Sequence, residues 1–151
     1  MLKRFVSSLL VVTLLCGCSS APKEEAPAAE ATIDVKAEGA RLVETLNLGD
    51  IVTDIDEKTA SAMIGFDEHV LEQSVYVSKL STADLVIVVR TDDMASTKDT
   101  ITKYHQDLRA QMENYFPEEV GKMDKYVAKE QGDIYYYIIC DDADAAYNAL
   151  N

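Results

Sequence analysis

Apolar positions along the chain fall into blocks of two different periods, and these blocks predict its elements. From Asp34 to Leu48 the apolar residues Val35, Leu42, Val43 and Leu46 share one face of a helix, and Gly49 follows as a left-handed cap. Ile51-Val52-Thr53 reads as a short extended piece. Either Asp54 or Asp56 is placed to cap a brief helix that runs through Ala60 to Ile64 and stops at Gly65. Leu71 to Leu80 and Asp84 to Arg90 are rich in Val, Ile and Tyr and flank Ser81-Thr82-Ala83, the pattern of a β-hairpin.

A long helix is predicted over Met94 to Tyr115, because Met94, Thr97, Ile101, Tyr104, Leu108, Met112 and Tyr115 recur at three- and four-residue steps. The stripe predicts one sheet under that helix, with Leu108 mid-stripe and buried against the hairpins. Pro117 interrupts the helix, and Pro117-Glu118-Glu119 opens a further short turn. Tyr126 to Lys129 and Asp133 to Cys140 predict a second hairpin about Gln131-Gly132, and Ala143 to Leu150 a closing helix. The fold class that follows is α+β: a small antiparallel sheet of about four strands, in two hairpins, packed against helices. Tyr76-Val77-Ser78-Lys79 recurs as Tyr126-Val127-Ala128-Lys129. Asp84 followed by Asp92-Asp93 is likewise answered by Asp133 followed by Asp141-Asp142, so two β-β-α units, with or without duplication, are a further expectation.

The N-terminal block has neither period. Lys3 and Arg4 precede eleven mostly apolar residues, Phe5 to Leu15, and then Cys16-Gly17-Cys18. The run falls short of the roughly 20 apolar residues that span a bilayer, so it reads as an export signal. Small Gly17 before Cys18 suits a signal peptidase pocket, whereas Cys16 follows bulky Leu15. The segment resembles a bacterial lipobox, which implies cleavage after Gly17 and lipid attachment at Cys18. Residues 1–17 are then a lipoprotein signal peptide, and 18–32 the lipidated cysteine and a flexible tether rich in Ala, Pro, Glu and Ser. Residues 33–151 form a single extracytoplasmic α+β domain. Two or more acyl chains anchor stably where one binds only marginally, so the partners begin with the membrane itself, reached through Cys18.

The formal charge is -13, and loss of Lys3 and Arg4 with the signal makes it two units more negative. Such a surface disfavours nucleic acid and bare anionic membrane and favours solubility. Only Cys140 lies outside the signal region, so no intramolecular disulfide is expected, and its apolar neighbours Ile138 and Ile139 suit a buried thiol. The chain lacks H-E-x-x-H, G-x-S-x-G, Walker, C-x-x-C and dinucleotide-binding patterns, and no catalytic residue, cofactor or metal site is assigned. Asp67-Glu68-His69 with Glu72 reads as a solvated acidic turn rather than a metal site, and Asp141, Asp142 and Asp144 as helix-capping residues rather than calcium ligands. Tyr126, Tyr135, Tyr136 and Tyr137 gather on the second hairpin, and alternation sets Tyr135 and Tyr137 against Tyr136. One of these faces is a candidate partner surface; cross-strand packing is the alternative.

The set Tyr76-Val77-Ser78, Asp84 to Val88, Gln111 with Tyr115-Phe116-Pro117-Glu118, and Gly132 to Tyr136 before Asp141-Asp142 resembles an uncharacterised family of Gram-positive lipoproteins, domain of unknown function 4358. The resemblance implies a small α+β domain behind a lipobox and carries over no functional residue except lipid attachment at Cys18. The function expected is a membrane-anchored extracytoplasmic binding or accessory module, not an enzyme, with an envelope protein or wall polymer as partner. A solute-binding or sensing lipoprotein is the alternative, and an envelope enzyme without a recognisable motif stands behind both.

Overall fold

Among the described residues the two most apolar stretches, Leu85–Val89 and Ile134–Ile139, lie side by side in the middle of one sheet. A computed structural model describes residues 32–151; the expected signal segment, Cys18 and all of the expected tether but Thr32 lie outside the described residues. Strands β1 (Val52–Ile55), β2 (Val70–Ser78), β3 (Leu85–Thr91), β4 (Val127–Gln131) and β5 (Ile134–Ile139) pair antiparallel throughout, in the order β1-β2-β3-β5-β4. The α+β class holds, with five strands rather than about four. The added strand is the short extended piece, which pairs along β2 from Val52 opposite Ser78 to Ile55 opposite Val75. Four residues carry too little alternation to declare a strand; the partner decides it.

Five helices cover this sheet: α1 (Val35–Thr45), α2 (Glu57–Ile64), α3 (Met94–Tyr115), α4 (Val120–Met123) and α5 (Ala143–Ala149). Leu42 of α1 and Ala146 of α5 join Val86, Val88, Tyr136 and Ile138 in one core cluster. Ile64 of α2, Ile101 of α3 and Met123 of α4 join Leu85, Ile87, Tyr135 and Tyr137 in another. Both faces are therefore covered, which explains why Leu85–Val89 and all of β5 are buried without a polar alternate. A strand with one wet face would alternate apolar and polar residues.

Local chemistry sets the element ends. Asp34 and Asp56 accept from the backbone N–H groups of Ala37 and Thr59, each at 3.0 Å, so Asp56 and not Asp54 caps α2. Gly65 ends α2 at φ 92°. After α1 the left-handed residue is Asn47, at φ 54°, and Gly49 does not take that role. Asn tolerates this conformation better than other side chains. A Cβ at Gly39 would lie 2.2 Å from Ser74 Oγ, so this glycine lets α1 close onto β2.

Two departures from the sequence pattern shape the surface. The 22 residues of α3 span about 33 Å at 1.5 Å each, whereas the seven of β3 span roughly 23 Å. The helix overhangs its sheet. Thr97 and Ile101 are buried, Tyr104, Leu108 and Met112 are half-buried, and Tyr115 is 75% exposed, so Leu108 is less covered than its place in the stripe suggests. Two β-β-α units are present, β2-β3-α3 and β4-β5-α5, yet α3 and α5 pack on opposite faces while β3 and β5 lie antiparallel as neighbours. Viewed with the second strand upward and the helix in front, the first strand lies on opposite sides in the two units. They have opposite hand, and no rotation superimposes one on the other.

Candidate functional site

The overhang of α3 leaves a groove where α2, α3 and the β2–β3 loop meet. Its volume is about 290 Å3, and its walls are Met63 from α2, Leu80 from the loop, Val77 and Leu85 from the sheet, and Leu108 and Met112 from α3. Ser78, Thr82, Asp84 and Gln111 supply its polar atoms. The loop is braced internally, since the Leu80 N–H donates to Ser78 Oγ at 3.1 Å and Ser78 Oγ lies 2.7 Å from Thr82 Oγ1. A neighbouring hollow of about 240 Å3 shares Met63 and Tyr104 and adds Lys103 and Asp107, so the cleft continues along the two helices.

An ion cluster stands beside the groove. Lys122 Nζ lies 2.9 Å from Asp84 Oδ2, 3.0 Å from Glu119 Oε2 and 3.0 Å from Asp141 Oδ1. The Ala83 N–H also donates to Glu119 Oε2, at 2.9 Å. Burial pulls the Lys122 pKa down, but hydrogen bonds to Asp84, Glu119 and Asp141 outweigh it and hold the ammonium well above its ordinary range. Three carboxylates against one ammonium leave two net negative charges. Asp84 is buried, and its Oδ1 has no hydrogen-bond partner.

The tyrosines singled out in the sequence do not form a surface. Tyr135, Tyr136 and Tyr137 are 6%, 2% and 3% exposed, which corrects the expectation of an exposed partner face. Alternation separates them as expected, but helices lie over both sides. What reaches solvent is Tyr126, half-exposed, whose ring stacks on Tyr137 at a centroid separation of 5.0 Å. His105 closes this aromatic group, lying 5.2 Å from the Tyr126 centroid and sharing a hydrogen bond between Nδ1 and the Tyr137 hydroxyl. Burial pushes the Tyr137 hydroxyl pKa up and the His105 pKa down, the latter with help from Arg109.

The remaining candidates resolve into local roles. Asp67 Oδ1 accepts from the His69 N–H at 3.1 Å, and His69 Nδ1 pairs with Asp92 at 2.8 Å. Asp93 and Asp142 cap α3 and α5 by accepting from Ser96 and Ala145 N–H at 3.0 and 2.8 Å. Asp141 is drawn to Lys122 instead. Among the described residues no group of three or more His, Cys, Asp or Glu side chains is placed to hold a metal ion, and no helix is long and apolar enough to cross a membrane. Cys140 is a free, buried thiol whose pKa is raised chiefly by burial.

Sequence reasoning missed Lys122, Glu119 and the groove. Two traces were available: Asp84 stands directly before a strand of continuous apolar residues, and the apolar stripe of α3, about 33 Å long, outruns the predicted strand Asp84 to Arg90, about 23 Å long. The Asp84 and Asp133 positions that the internal match equates have unlike partners, since Asp133 pairs with Arg90 at 2.6 Å. No curated protein and no solved structure matches the chain. Residues 45–140 match the family model described as Domain of unknown function (DUF4358), a span from the end of α1 to the residue that follows β5. By that match, which takes in the whole sheet together with α2, α3 and α4, the chain belongs to the DUF4358 family.

Proposed function

We propose that this chain is an envelope lipoprotein, anchored outside the cytoplasm through lipid on Cys18, whose domain acts as a non-catalytic binding or accessory module. The observation that carries the reading is Gly17-Cys18 close behind Lys3, Arg4 and the apolar run Phe5 to Leu15, with Cys16 alone between. An anchor of this kind calls for a domain that works near a membrane, and an open groove with an acidic side supports contact with another molecule more than chemistry upon one. The acidic balance favours a basic partner or a basic patch on an envelope protein or wall polymer.

Metabolic labelling with palmitate tests the anchor. Cys18→Ala should lose the label and the processing step, and Cys16→Ala should keep both; label persisting in the Cys18 variant removes the assignment. Crosslinking on intact cells tests the partner, which should be recovered with the chain after detergent extraction and be released as salt rises. A small molecule retained in native mass spectrometry, with no macromolecule recovered, would replace the module with the solute-binding reading.

A further inference from the structure

Apolar packing does not account for the side of the groove where Asp84 lies. Asp84 is 3% exposed and lines the groove; Lys122 Nζ holds its Oδ2 at 2.9 Å while Oδ1 has no partner. Oδ1 is itself closed to solvent, so an occupant of the groove meets this carboxylate through its charge rather than through a direct hydrogen bond. The nearest charges set the sign of that occupant. Glu119 and Asp141 share the single ammonium of Lys122 with Asp84, so this side of the groove is net negative. The rest of the wall is apolar and adaptable: Met63 and Met112 are thioethers, and Met63 and Leu80 stand at the mouth, 39% and 57% exposed.

An occupant that satisfies both parts has an apolar stem and a cationic head. We propose that the groove receives one arginine side chain of a basic partner protein, its stem along Leu108 and Met112 and its guanidinium toward the acidic side where Asp84 lies. Arginine suits this place better than lysine because its charge persists on desolvation and its fork offers several donors at once. The groove itself, about 290 Å3, lies at the floor of the roughly 300–1,000 Å3 that small-molecule sites occupy, and the adjoining hollow of about 240 Å3 leaves room for residues beside the arginine. The exposed Met63 and Leu80 then meet the residues on either side of the arginine. The inference rests on the reading of this chain as a binding module and names what that module grips.

The test uses the full chain, isotope-labelled and held in phospholipid nanodiscs, with Nα-acetyl-arginine methylamide as probe and its neutral citrulline isostere as control. Arginine should give saturable shifts at the amides of Ala83, Leu85 and Met112, and citrulline should bind at least tenfold more weakly. Asp84→Asn should abolish that difference. Should that variant fail to fold, Met63→Lys, a surface change that supplies an internal cation, should weaken the arginine probe at least tenfold. A nonapeptide with apolar residues flanking a central arginine should bind at least tenfold tighter than the amide. Equal binding of the two probes, or shifts spread over the acidic surface, overturns the proposal; a peptide no tighter than the amide overturns the protein partner in favour of a free cationic solute. Failure here leaves palmitate labelling at Cys18 untouched, and failure of that labelling leaves the probe result standing, so the two readings fall separately.

Discussion

Gly39 shows how one missing atom sets the spacing of a layer. In an exposed helix Gly→Ala gains about 1 kcal/mol, but a Cβ here would lie 2.2 Å from Ser74 Oγ and 2.9 Å from Ser74 Cβ. Overpacking of this kind costs about 1–3 kcal/mol. Gly39→Ala should therefore lower the denaturation midpoint, Gly39→Ala with Ser74→Gly should recover part of the loss, and Gly121→Ala, with open space around it, should not lower it. The two histidines act on stability in opposite directions with pH. His69 has a raised pKa, chiefly through its hydrogen bond to Asp92, so its contribution is present below the unfolded value of about 6.5 and fades as pH rises through the folded one. His105 has a lowered pKa, chiefly through burial and then Arg109, so its contribution is present above that unfolded value and is lost as pH falls. Stability measured against pH should lose an acid-side decline in His105→Gln, which keeps an acceptor for Tyr137, and an alkaline-side decline in His69→Gln. A parallel displacement of either curve, without a change of slope, would contradict these assignments.

Among the elements, α3 carries the clearest gradient. Ile101 is 1% exposed, and Ile101→Ala should cost about 2–5 kcal/mol. Leu108 lies over the groove and is half-buried, so Leu108→Ala should cost about half as much, in proportion to the area it covers. Tyr115→Ala, at 75% exposure, should stay within about 0.5 kcal/mol. Urea denaturation of the three variants orders them, and equal losses would show that the overhang is filled. The N-caps give a second test, since Asp93→Ala and Asp142→Ala each remove the acceptor for one backbone N–H and should each cost about 1 kcal/mol. Capping is indifferent to calcium; a calcium-dependent rise in melting temperature that vanished in either variant would mean a metal site instead.

At the scale of the whole molecule, Lys122 joins three segments: the start of β3 through Asp84, the short turn at Glu119, and the exit of β5 through Asp141. Removing one member of a buried ion group leaves the others uncompensated, so Lys122→Met should cost about 3–5 kcal/mol. Replacing Lys122 and Asp84 together by apolar residues should cost less than Lys122→Met alone, an outcome that chemical denaturation can check. The raised Lys122 pKa places its contribution below the ordinary lysine value, with loss only as pH climbs through the folded one. Periodicity and turn chemistry alone determined most of the elements, because helices and hairpins are governed by neighbours in sequence: α3 spans Met94–Tyr115 as its stripe predicts, and Gly65 and Gly132 turn where expected. The expected signal and lipid attachment at Cys18 rest on local sequence alone and lie outside the described residues. Tertiary structure alone decided whether β1 pairs, that both sides of β5 are covered and its tyrosines therefore buried, and that Asp84, Glu119, Lys122 and Asp141 converge. The reason is separation along the chain. Lys122 stands 38 residues from Asp84, and no local pattern records which distant carboxylates a lysine meets, or that a 22-residue helix outruns a seven-residue strand and leaves a groove beneath its end.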